Sequence, residues 1–129
     1  MLEKLFYGFF IFSSKFKAVK TPALSSYLII TVFIGYNLAT LFILVSYLAD
    51  HESVPINSDN TILSLLFGII LMTINYFTLY SKKKSIIEKY NTCSMTTKNK
   101  YIVFSLIYGL SSIIIFFTTA SYILPDIQR

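Results

Sequence analysis

The chain has few charged residues for its length. Only 13% of its 129 residues are Asp, Glu, Lys or Arg, whereas a typical soluble domain carries about 25%. A single cysteine cannot form a disulfide within the chain, so the sequence requires no oxidising compartment. With 55% hydrophobic residues and a mean hydropathy of +0.67, the composition indicates one domain embedded in lipid.

Three long segments contain no charged residue at all: residues 24–49, 61–80 and 101–124. Each reaches the ~20 apolar residues that a helix needs to cross about 30 Å of hydrocarbon. A soluble bundle of three buried helices is the alternative, but no segment alternates in a way that leaves a polar face for water. The sequence therefore predicts an all-α integral membrane protein with three transmembrane helices, forming a single membrane domain over residues 1–129.

The lysines predict the orientation of these spans. All ten lie before the first span or in the 81–100 loop, whereas the 50–60 loop has three acidic residues and no lysine or arginine. The positive-inside rule then places the N-terminus and the 81–100 loop in the cytoplasm and the C-terminus outside, in the cell (inner or plasma) membrane. Six lysines are expected to fix this topology and to meet lipid headgroups: Lys15, Lys17, Lys20, Lys82, Lys83 and Lys84.

Residues 1–20 have most of their apolar side chains on one helical face and most of their lysines opposite. This pattern predicts an interfacial amphipathic helix that lies on the inner leaflet. A cleaved signal peptide is the alternative. It is disfavoured because the apolar run 5–12 is short, lysines follow it, and no A-x-A-like cleavage site is present.

Each span has one glycine with a small residue four positions earlier. Such small-xxx-small spacing lets helix backbones approach closely. Packing of the three helices within one chain and association of several chains, including a polar pore lining, both remain open. The predicted helix-packing residues are Thr31, Gly35, Ala39, Ser64, Gly68, Asn75, Ser105, Gly109 and Ser112.

Further polar residues lie within the spans. A second stripe on the third span, formed by Ser111, Thr118 and Tyr122, is a candidate face toward a neighbouring subunit. Asn37 and Asn75 differ by about 12 Å in depth, so each is expected to bond a nearby Ser, Thr or backbone group rather than the other.

No reactive cluster is visible in the sequence. The spans contain no ionisable Asp, Glu, Lys, Arg or His, which disfavours proton relays, voltage sensors and ion-coupled transporters. Asp50, His51 and Glu52 lack a second cluster to complete a metal site, and a solvated loop is expected there. Cys93 has no histidine on its side of the membrane to activate it. We therefore expect neither enzymatic activity nor a cofactor.

The segment SKKKSIIEKY, residues 81–90, raises the question of a binding partner. Nucleic acid is disfavoured because the 81–100 loop has no arginine and one aromatic residue. Ile86, Ile87 and Tyr90 are expected to rest on the membrane surface or on a partner protein.

The expected partners are membrane lipids and either further copies of the chain or another membrane protein. The expected function is helix association, as a homo-oligomer or accessory subunit, with an oligomeric pore or membrane-permeabilising effector as the alternative.

The orientation predicts which thiols an impermeant reagent reaches. A cysteine introduced by Ser58→Cys should be labelled in intact cells, because residue 58 is expected outside. The native Cys93 is the internal control and should react only after the membrane is opened. Protection of the introduced thiol in intact cells would overturn the orientation.

Overall fold

The computed structural model describes residues 1–49 and 58–127, and every secondary-structure element in these two ranges is helical. Three helices are long and apolar enough to cross a membrane, over Pro22–Leu48, Ile62–Tyr80 and Met95–Ile123. The predicted all-helical architecture with three such helices is confirmed for this part of the chain. The elements are α1 (Leu2–Ser14), α2 (Pro22–Ala49), α3 (Ser58–Asn75), a π-helix (Tyr76–Tyr80), α4 (Lys83–Asn91) and α5 (Met95–Ile127).

The boundaries of the spanning helices follow local signals. Pro22 is the first residue of α2, a position where its missing N–H would have had no helical acceptor. The Ser94 hydroxyl accepts a hydrogen bond from the Thr97 backbone N–H at 3.4 Å, just before α5 begins. The third spanning helix therefore starts six residues earlier than the apolar segment 101–124 indicates, and it includes Lys98 and Lys100.

The second span ends in a widened turn. The Ser81 N–H donates to the Tyr76 carbonyl, five residues back, at 2.9 Å, which is the hydrogen-bond pattern of a π-helix. The Ser81 hydroxyl also donates to the Phe77 carbonyl at 2.7 Å. The chain then turns into α4, so the segment 81–100, predicted as a loop, contains a nine-residue helix.

Two groups of three tyrosines lie where α2 and α5 begin and the π-helix ends. We call this the basic end, because the lysine-bearing segments meet there. Tyr27, Tyr76 and Tyr80 join α2 to the π-helix with ring centroids 5.3–6.2 Å apart. The second group joins α1, α4 and α5, with centroids 5.5–6.2 Å apart. Tilted and edge-on ring pairs of this kind contribute about 0.5–1.5 kcal/mol each beyond simple burial. The second group consists of Tyr7, Tyr90 and Tyr101.

Helix α1 is buried among the other helices. Five successive residues, Leu5 to Phe9, are buried, and five residues exceed one helical turn, so neighbours surround the helix there. The interfacial position predicted for residues 1–20 is therefore not confirmed, and the helix itself ends at Ser14. Helical periodicity groups residues by face, but it does not show how many faces of a mainly apolar helix are covered.

Helices α1 and α5 approach each other closely at Gly8. A Cβ atom at Gly8 would come within 3.0 Å of the Ser105 hydroxyl and of the Tyr101 carbonyl group. The Ser105 hydroxyl also lies within hydrogen-bond reach of the Leu5 carbonyl, at 3.2 Å, and of the Tyr101 carbonyl, at 2.8 Å. On the other side, the Phe9 ring contacts Phe33 of α2 at 5.7 Å between centroids.

Helices α2 and α5 contact each other directly farther from the basic end. The Phe33 ring lies against Gly109, and Tyr36 and Phe116 have ring centroids 4.9 Å apart. At the basic end both helices contact α1 instead. Helix α1 thus fills the space between the basic ends of α2 and α5.

The substitution Gly8→Ala should lower the free energy of unfolding by about 1–3 kcal/mol, because the new methyl group would overlap backbone atoms of α5. Steric trapping in detergent micelles would measure this change. Gly68→Ala is the matched control, since no heavy atom lies within 4 Å of its Cβ position. The control should be neutral or stabilising by up to about 1 kcal/mol. Equal effects of the two substitutions would contradict the buried position of α1.

Candidate functional site: the cleft between the first two spans

The described residues hold no group of three His, Cys, Asp or Glu side chains that could bind a metal ion. Asp50, His51 and Glu52 lie outside the described residues.

The Cys93 thiol is half-buried beside the second tyrosine group. Burial raises the pKa of Tyr7, and the charge of a Cys93 thiolate would add to that effect.

The small residues of α5 are used within the chain. Ser105 contacts α1, and a Cβ at Gly109 would lie 2.6 Å from the Phe33 ring. Ser112 is buried, and its hydroxyl donates to the Tyr108 carbonyl at 2.9 Å. The face of α5 that bears these three small residues is thus covered by α1 and α2.

Polar groups within the spans are paired between helices. The Asn75 amide donates to Thr31 Oγ1 at 3.3 Å, a serine or threonine partner as expected for Asn75. The Asn37 amide donates to the Tyr108 hydroxyl at 2.8 Å, a partner that the sequence did not indicate. Interhelical bonds of this kind contribute about 0.6–2 kcal/mol each in lipid, so they help to fix how α2 faces its two neighbours.

Helices α2 and α3 make contact near the basic end and separate beyond it. The contacts extend from the first tyrosine group and the Tyr27–Met72 hydrogen bond of 2.8 Å to Gly35, whose Cβ position is 4.0 Å from Leu71. About one turn farther along α3, Gly68 has no heavy atom within 4 Å of its Cβ position. We call the space between the two diverging helices the α2–α3 cleft.

Small residues stand along both walls of this cleft. Ala39 follows Gly35 by four residues and so lies on the same face of α2; it is half-buried. On α3, the exposed Ser64 precedes Gly68 by the same interval. Around them, the large apolar residues of Ile62–Ile70 are 51–64% exposed, so lipid or another helix must cover this half of α3 in a membrane.

The second stripe of α5 faces away from the other helices. Ser111, Thr118 and Tyr122 are all exposed. This stripe thus lies at the outer surface of the protein.

The basic end presents most of its lysines to solvent or headgroups. Lys83 is half-buried with its ammonium 4.0 Å from the centre of the Tyr80 ring, a cation–π contact. Lys89 forms an ion pair with Glu3 at 3.1 Å, and this hydrogen-bonded carboxylate raises the pKa of Lys89. The other lysines predicted to set topology are exposed, namely Lys15, Lys17, Lys20, Lys82 and Lys84.

The apolar side of α4 rests on this chain itself. Ile86 and Tyr90 are buried in the same core as α1, and Tyr90 contacts both Tyr7 and Tyr101. The expectation that lipid or a partner protein covers these two residues is therefore wrong, because other residues of this chain bury them. Ile87, the third residue of that group, is half-buried.

No protein-family model, curated protein or solved structure matches the chain.

Proposed function

We propose that this is a non-enzymatic multi-pass protein of the cell membrane that works through transmembrane helix association, as a homo-oligomer or as an accessory subunit. The observation that carries the proposal is the open position of Gly68. Gly8 and Gly109 lie against neighbouring helices, whereas Gly68, although half-buried, has no heavy atom of a neighbouring helix within 4 Å of its Cβ position. The α2–α3 cleft is therefore the surface that a helix from another chain would occupy.

The energetics of helix contact in lipid favour this use. Lipid tails are as apolar as leucine, so helices associate through close van der Waals contact rather than through exclusion of water. Small residues allow that contact because they let two backbones approach. A glycine in a helix that faces only lipid costs about 1 kcal/mol relative to alanine and gains nothing in return.

The proposal includes the orientation derived from the lysines. The basic end faces the cytoplasm, and the α2–α3 cleft opens toward the other side of the membrane. The exposure of five of the six topology lysines at one end of the helices supports this orientation.

Gly68→Leu should weaken the complex that the protein forms by at least about tenfold, because a leucine side chain would fill the cleft. The measurement is the mass of the particle extracted from native membranes in mild detergent. Thr73→Leu is the matched control, since it adds bulk at another exposed position of α3 and lies on a different face of the helix.

Two outcomes would contradict the proposal. One is a wild-type protein that stays monomeric and captures no other membrane protein after cross-linking in native membranes. The other is an equal loss of association in both leucine variants, which would show that the cleft has no special role.

An oligomeric pore is the second candidate function. It is favoured by the exposed polar stripe of α5, formed by Ser111, Thr118 and Tyr122. Polar side chains turned away from their own chain can line water only if several chains surround a common axis, since three helices do not enclose an aqueous channel. This candidate therefore also requires association.

A pore would collapse the membrane potential when expression is induced, and the combined substitution Ser111→Ala and Thr118→Val should reduce that effect by removing the hydroxyl groups. A potential-sensitive dye in induced cells gives the readout. The matched control is Thr73→Val, which removes an exposed hydroxyl from another helix. An unchanged potential with wild-type protein intact in the membrane would rule against a pore while leaving helix association standing.

A further inference from the structure

The basic end carries a strong charge of one sign. Residues 1–21 and 81–100 contain ten lysines and two glutamates, a net side-chain charge of +8. Only one ion pair, Lys89 with Glu3, is formed within the described ranges. Most of these ammonium groups therefore have no carboxylate partner among the described residues, and like charges at such density repel one another unless anions lie nearby.

Two groups of lysines adjoin the same structural feature. Lys20 stands two residues before Pro22, and Tyr27 lies about 7.5 Å farther along α2 by helical rise. Tyr27 contacts Tyr80 at 5.6 Å between ring centroids, and Lys83 is held over the Tyr80 ring at 4.0 Å. The connection from the π-helix to α4 thus contacts the first tyrosine group through Lys83, and the connection from α1 leads into the helix that bears Tyr27.

An apolar ring is exposed within the first of these connections. Phe16 stands between Lys15 and Lys17 and is 51% exposed, although its edge contacts Phe12 at 5.2 Å between centroids. An exposed aromatic ring between two ammonium groups suits a boundary where charge and hydrocarbon lie side by side. A soluble anion would neutralise the lysines but would leave this ring in water.

We propose that the basic end is a binding surface for anionic phospholipids. The ammonium groups of Lys15, Lys17, Lys20 and Lys82 to Lys84 bind the headgroup phosphates, and Phe16 inserts beside the first carbons of the acyl chains. This binding is separate from the proposed helix association, because Gly68 lies about 18 Å from Tyr80 by helical rise and so outside the basic end. Either can fail without the other.

The experiment uses the full chain in nanodiscs that contain equal amounts of phosphatidylcholine and phosphatidylglycerol. Native mass spectrometry counts the lipids of each kind that stay bound after the disc is removed. We expect a preference of more than about tenfold for phosphatidylglycerol, because each lysine near an anionic surface raises the binding constant for that surface about fivefold. The combined substitution of Lys82, Lys83 and Lys84 by Gln should reduce this preference severalfold, and Phe16→Ser should reduce retention of both lipids.

The matched control replaces Lys4, Lys98 and Lys100 by Gln, which removes the same charge from lysines of the basic end that are not among the six proposed to bind phosphates. It should retain most of the preference. Circular dichroism checks that each variant keeps its helices, and raised salt gives a second readout that needs no variant, since it should weaken the wild-type preference. Equal retention of the two lipids by wild-type protein, or equal losses in the two triple variants, would overturn the proposal.

Discussion

The contact between Gly8 and α5 is the constraint on which the basic end depends. A side chain at this position would collide with the backbone of Tyr101, so the absence of a side chain lets α1 come close enough for the Ser105 hydroxyl to reach the Leu5 carbonyl. With α1 in this place, α2 and α5 are kept apart at one end and meet at the other. The spacing of α2 and α5 at the basic end thus depends on a position outside both helices.

The same contact positions the second tyrosine group. Tyr7 lies next to Gly8 in sequence and contacts Tyr90 and Tyr101, and its hydroxyl donates to Asn91 at 3.4 Å. Through these contacts α1 holds α4 against the start of α5. A short helix rich in lysine, which would be marginal alone in water, gains its order from α1. The fixed position of α4 in turn determines where its lysines are presented.

Much of the architecture could be predicted from the sequence, because charge is so costly in lipid that its absence marks each span. The rotation of each helix about its own axis could not. Gly68 and Gly109 occur in the same local pattern, yet Phe33 covers one and nothing in the described structure covers the other. Local spacing shows which residues share a face, but it does not show which neighbour that face meets. For the same reason the Asn37–Tyr108 bond and the burial of Ile86 and Tyr90 were not foreseen.

The hydrogen bond between Leu5 and Ser105 joins residues 100 positions apart, and this separation has a consequence for biosynthesis. The site that receives α1 is built from α2, α4 and α5, and α5 is made after the other two. During translation α1 is therefore made long before its site is complete. Until then Leu5 to Phe9, which are buried in the folded protein, lack the neighbours that cover them, so α1 packs in its final place only after α5 has been made.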